Sequence, residues 1–142
     1  MKKQHDFTFL FEKFIKETRS GRRLKKDGTP VKKQTINNYE YTLRLLKKFS
    51  IEKKFDLKIP ELLTINRREF LSSRNYWRKF YRQFTTYLYK DQQHYDNYVG
   101  LTIKNLRVFF NWLKIEKGIN TGDFHKNFYS LIFIAWLKRR IH

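Results

Sequence analysis

The sequence predicts an all-α domain of four or five helices, with a short basic β-hairpin or loop after the first helix. Three observations predict it. Apolar residues recur at helical spacing in one segment after another, and 14 Phe, 9 Tyr and 3 Trp give those stripes bulk. With 142 residues, 40% of them apolar, the chain is one domain able to bury a real core. One stretch, residues 19–33, breaks the helical pattern and concentrates cations instead. The whole chain carries 32 Lys plus Arg against 13 Asp plus Glu, a formal charge of +19. Such a surplus says little about fold and much about partners: nucleic acid first, an anionic membrane second. No cysteine is present, so disulfide and thiolate chemistry are excluded, which fits a reducing compartment. The opening MKKQHDFTFLF is too short an apolar run for a signal peptide, and no run approaches the ~18 apolar residues of a membrane span.

The first helix should run from Phe7 to Thr18, capped by Asp6, with Leu10, Phe11, Phe14 and Ile15 on its inner face. The segment that follows holds Arg19, Arg22, Arg23, Lys25, Lys26, Lys32 and Lys33 against a single acid, Asp27. Asp27-Gly28 is a tight-turn dipeptide flanked by Leu24 and Val31. The segment is either a short exposed hairpin or a disordered basic loop, and both forms suit phosphate contact.

Thr35 to Phe49 is the next helix. Ile36, Tyr39, Leu43 and Leu46 give it a core face, and Thr35 stands at the expected N-cap. Asn37, Tyr41, Arg44 and Lys48 make up the opposite stripe, which contains no acid. This helix alone fits a polyanion-binding face and a solvated basic face equally well. Residues 51–65 contain Pro60 as a breaker. Thr64 or Asn66 can cap a short helix near Arg67 to Leu71, followed by a longer one from Asn75 to Lys90. Trp77, Phe80, Phe84 and Leu88 face inward there, with Tyr81 and Tyr87 beside them. Arg74, Arg78 and Arg82 line another face, which could touch phosphate, although such a stripe is more often simply solvated.

Asp91 to Asp96 reads as a polar loop. His5, His94, His125 and His142 are scattered without metal-ligand spacing, so neither metal nor cofactor is expected. The last strong helix runs from Asn97 to Lys117 and stops at Gly118. Val99, Ile103, Leu106, Phe110 and Leu113 face the core, widened by Phe109 and Trp112. A second, polar-to-basic stripe is Asn97, Gly100, Lys104, Arg107 and Asn111. Glycine costs about 1 kcal/mol against alanine inside a helix. Gly100 therefore either admits the close approach of another backbone, such as a phosphodiester, or sits in a fraying first turn. Residues 129–142 form an apolar segment with a basic end, either a lid on the core or a docking element.

Two segments together resemble the core-binding (SAM-like) domain of tyrosine recombinases, the phage and transposon integrases, particularly those of Bacteroides-type mobile elements. One is KKDGTPVKKQTINNYEYTLRLLKKF. The other is NYVGLTIKNLRVFFNWLKIEKG with the following NTGDFHKNF, which supplies Gly100, Leu106, Arg107, Phe109, Asn111 and Trp112. Leu101 departs from the pattern, standing where the family often has a second cation. The resemblance implies a core-binding domain over residues 1–128 and a segment, 129–142, leading towards a catalytic domain not in this sequence. It implies double-stranded DNA as partner, together with that catalytic domain and other recombinase protomers, in the bacterial cytoplasm, with no membrane. Contacts mainly to phosphates would come from Lys25, Lys26, Lys32, Lys33, Thr35, Asn37, Tyr41, Arg44 and Lys48, and from Gly100, Lys104, Arg107 and Asn111, both helices meeting one duplex. The family cuts DNA with a tyrosine nucleophile and a set that includes His-x-x-Arg. No His-x-x-Arg occurs here, so no catalytic residue is expected. With the resemblance set aside, an RNA-binding or anionic-surface-binding helical protein, or a protein-interaction module, accounts for the same charge.

Overall fold

The computed structural model describes residues 3–64 and 66–128, and it is mostly helical: four α-helices and one two-stranded sheet. The chain divides into two compact units, one of residues 4–59 and one running from Pro60 onward with the first three residues.

β1 (Lys3–Asp6) leads into α1 (Phe7–Arg19), and α2 (Lys33–Glu52) leads into β2 (Lys58–Glu61), which pairs with β1; both helices belong to the first unit. The Asp6 carboxylate caps α1, accepting from the Phe9 N–H at 3.1 Å and from the Thr8 hydroxyl at 2.9 Å. α1 buries Leu10, Phe11, Phe14 and Ile15, the stripe its spacing predicts, and Phe7 and Thr18 as well. Phe14 meets Tyr39 of α2 at 4.9 Å between ring centroids. Lys47 pairs with Glu12 at 2.6 Å and Glu40 pairs with Arg19, so partners run in opposite order and the two helices are antiparallel. Removing a ring such as Phe11 or Phe14, both fully buried, would cost about 3–5 kcal/mol.

Three sequence expectations change in this unit. α2 begins at Lys33 with Lys32 at the cap, so Thr35 is its third residue and not its N-cap. The buried face of α2 is Tyr39, Thr42, Leu45, Leu46 and Phe49, while Leu43 is only half-buried. Thr42 can take that inner position because its hydroxyl donates to the Asn38 carbonyl at 3.0 Å and leaves no buried donor unpaired. The two strands were not anticipated. Pro60 lies inside β2, at the edge of a two-stranded sheet, where its missing N–H need not join a ladder.

The basic segment between α1 and α2 is a hairpin reduced to one bridge, Leu24 to Pro30. Lys25 donates to the Thr29 carbonyl and Gly28 to the Lys25 carbonyl, each at 2.9 Å, with Gly28 at φ +83°. Such a left-handed turn favours glycine. Pro30 has no N–H to extend the ladder. Arg23 anchors the base of the hairpin: its guanidinium lies 4.8 Å from the Phe14 ring centroid and donates to the Thr18 hydroxyl at 3.2 Å.

The second unit holds α3 (Arg67–Thr86), a wide π-type turn (Tyr87–Asp91), α4 (Asp96–Glu116) and a short 3-10 turn (Phe124–Asn127). Asn66 caps α3, accepting from the Glu69 N–H at 3.2 Å. The two helices expected near 67–71 and 75–90 are one, because no Gly or Pro interrupts residues 67–86. α3 passes directly into the π turn, in which the Gln92 N–H reaches five residues back to the Tyr87 carbonyl at 3.0 Å, so the helical path ends at Asp91, one residue past the expected Lys90. Trp77 of α3 meets Phe110 of α4 edge-on at 5.1 Å, and Tyr81 stacks on Phe128 at 4.7 Å. Gly122 is required where it stands: at φ +87°, an added Cβ would lie 2.5 Å from the Phe124 ring. The expected apolar tail, residues 129–137, lies outside the described residues.

Candidate nucleic-acid interface

In the first unit, ion pairing divides the cations into two groups. Arg19 and Lys47 neutralise Glu40 and Glu12 across α1 and α2. On the outer face of α2, Asn37, Arg44 and Lys48 are exposed and Tyr41 is half-buried. The Arg44 guanidinium sits 5.4 Å from the Tyr41 ring centroid, which orients it along the surface. Among the described residues, no carboxylate pairs with Arg44 or Lys48. Lys25, Lys26, Lys32 and Lys33 are all exposed. Lys32 and Lys33 lie at the cap and first residue of α2, so the hairpin runs directly into the basic helix. Asp27, the hairpin's acid, is turned inward on its own loop: hydrogen bonds from the Thr29 hydroxyl and N–H hold its carboxyl below the usual range. Thr35 is half-buried in the first turn of α2.

The α4 stripe of the second unit is less uniform than its spacing suggests. Lys104 is exposed and Gly100 half-exposed. A Cβ on Gly100 would meet nothing within 4 Å, so packing among the described residues does not demand a glycine there. Arg107 is half-buried, and Asn111 is exposed but engaged: its Oδ1 lies 2.9 Å from His125 Nε2. His125 is a core histidine, 3% exposed and stacked on Phe110 at 5.5 Å. Burial pushes its pKa down to about 4, opposed by Asp123 and reinforced by Lys126, Lys114 and Arg107. Asp123 is itself held low, chiefly by the hydrogen bond from Lys114 at 3.0 Å. The C-terminal half of the stripe thus serves the fold of its own unit, and the N-terminal half, Gly100 and Lys104, stays open.

The densest basic surface of this unit lies on α3. Arg67, Arg68, Arg78, Lys79 and Arg82 are exposed, while Arg74, which the sequence grouped with Arg78 and Arg82, is half-buried. Helical spacing groups Arg78 and Arg82 on the segment expected from Asn75; Arg67 and Arg68 join that surface only because residues 67–86 are one helix.

Among the described residues no three His, Cys, Asp or Glu side chains converge to hold a metal ion. No described helix is long and apolar enough to cross a membrane. No family model, curated protein or solved structure matches the chain.

Proposed function

We propose that the chain is a DNA-binding domain that grips duplex DNA through its phosphates, of the kind found as the core-binding (SAM-like) half of a tyrosine recombinase. The observation that carries this reading is the division of charge in the first unit. Its inter-helix acids are engaged with Arg19 and Lys47, and this leaves Arg44, Lys48 and four hairpin lysines exposed on one continuous stretch of chain. Exposed cations that meet phosphate release its counterions, which is the main source of sequence-independent DNA affinity. Asn37 and Tyr41 add hydrogen-bonding groups that position a backbone without reading bases. In the second unit, Gly100 offers room for close approach beside Lys104. On this reading the chain acts with a catalytic domain and with other recombinase protomers on bacterial DNA, and does not cut DNA itself.

An RNA-binding sheet would present a platform of exposed aromatic rings, and neither β1 (KQHD) nor β2 (KIPE) has a Phe, Tyr or Trp. The reading is tested with Arg44→Glu and Lys48→Glu, measured by fluorescence anisotropy on a duplex. Each should lose about 1–2 kcal/mol of binding, with helix content unchanged. Unchanged affinity in both variants would remove α2 from the interface.

A further inference from the structure

The outer face of α3 is a surface that the proposed function does not use. At 100° per residue, Arg68, Asn75, Lys79 and Arg82 fall within about 60° of one another, with Arg78 on the flank. The buried residues of α3 (Ser73, Trp77, Phe80, Tyr81 and Phe84) lie on the opposite side. Because Trp77 faces Phe110, the basic ridge points away from α4. From Arg68 to Arg82 the ridge is about 21 Å long at 1.5 Å per residue.

The charge on this ridge is one-sided. The one acid of α3, Glu69, sits about 100° round the helix from Arg68 and is half-buried. Asp123 is taken by Lys114 and Lys126, and Asp96 accepts from the Tyr89 hydroxyl at 2.8 Å. No ion pair among the described residues involves Arg67, Arg68, Arg78, Lys79 or Arg82. Like charges three and four residues apart repel on a helix surface, as in Arg78 with Arg82 and Lys79 with Arg82. The unpartnered chain bears that repulsion, and a polyanion relieves it.

We infer that the outer face of α3 is a second phosphate-binding surface, independent of α2, whose ligand is the backbone of duplex nucleic acid. A duplex presents one negative charge per roughly 1.7 Å of axis, so the ridge spans about a dozen phosphate charges. Single strands are held by aromatic stacking beside the cations, and no aromatic residue lies on this ridge. This inference rests on the chain binding duplex DNA, and its test separates the two ideas.

The test compares the whole chain with Arg78→Glu/Arg82→Glu, Arg78→Lys/Arg82→Lys and Arg44→Glu/Lys48→Glu. Anisotropy is read on a duplex of about 20 base pairs across a salt series, with circular dichroism on each protein. The Glu pair on α3 should weaken binding roughly tenfold near 0.1 M salt and flatten the log–log salt slope by about 1.8, at 0.9 per lost phosphate. The Lys pair keeps the charge and should keep the slope. Unchanged affinity and slope in the α3 Glu pair, with loss in the α2 pair, would overturn the inference and leave the proposed function standing. Failure of the unaltered chain to bind any duplex would overturn both.

Discussion

Protonation of His125 should govern stability in mildly acidic solution. The ring is buried, stacked on Phe110, and its Nε2 faces the Asn111 side-chain oxygen at 2.9 Å. An amide oxygen only accepts, so Nε2 donates and the neutral ring carries its proton there. Burial lowers the pKa from 6.5 to about 4. The unfolded chain therefore takes up a proton near pH 6.5 that the folded chain refuses until about pH 4. Stability is full above 6.5, falls as pH drops through that window, and levels below it. The gap, at about 1.36 kcal/mol per unit, is worth about 3 kcal/mol. Asp123 acts elsewhere: its lowered pKa means its contribution is lost only below the ordinary carboxylate range. His94 is also depressed by burial and adds in the same direction, so the contrast must isolate His125. Urea unfolding at intervals from pH 7.5 to 4.5, on the unaltered chain and on His125→Gln, provides it. The glutamine keeps a donor for Asn111 and cannot titrate. Over that range the stability of the unaltered chain should fall with acidity by about 2.5 kcal/mol more than that of the variant. Parallel curves would refute the burial argument.

Other substitutions separate folding from binding. Gly100→Ala should raise stability by up to about 1 kcal/mol, since nothing crowds the new Cβ, and should weaken DNA binding if a phosphodiester approaches there; thermal melts and anisotropy read the two effects. Changing Lys25, Lys26, Lys32 and Lys33 together to Ala should weaken duplex binding while the melting temperature stays near that of the unaltered chain, because all four are exposed. Arg23→Ala should do the reverse, lowering stability by about 1 kcal/mol through loss of its contacts with Phe14 and Thr18, with little change in affinity.

What could be read in the sequence depended on the range of the interaction. α1 was legible to within a residue because Asp6 and the stripe from Leu10 to Ile15 are local signals. The end of α4 at Gly118 was legible for the same reason: at φ +64° the glycine takes the left-handed conformation that closes the helix. On α2 the apolar spacing picked Leu43 over Leu45 and Thr42, because hydropathy does not show that a threonine can satisfy itself on its own helix. The strands β1 and β2 were missed because each is four residues long and takes its pairing from a segment about fifty residues away. Asn111 looked like an outward polar residue, but its partner His125 is fourteen residues away and reaches it only through the turn at Gly122. The exposed lysines of the hairpin and the outer face of α2 were legible because cations concentrated off the apolar stripe are a property of the sequence itself. The ridge on α3 was legible in part: Arg78 and Arg82 lie on one expected helix, but Arg67 and Arg68 lay on another and join them only because residues 67–86 are a single helix.

The salt dependence of duplex binding tests the central claim most directly. With about six phosphates contacted, log K against log salt should fall with a slope near −5, at 0.9 per phosphate. A slope shallower than about −2, or affinity indifferent to salt, would contradict a protein that holds DNA through its basic faces.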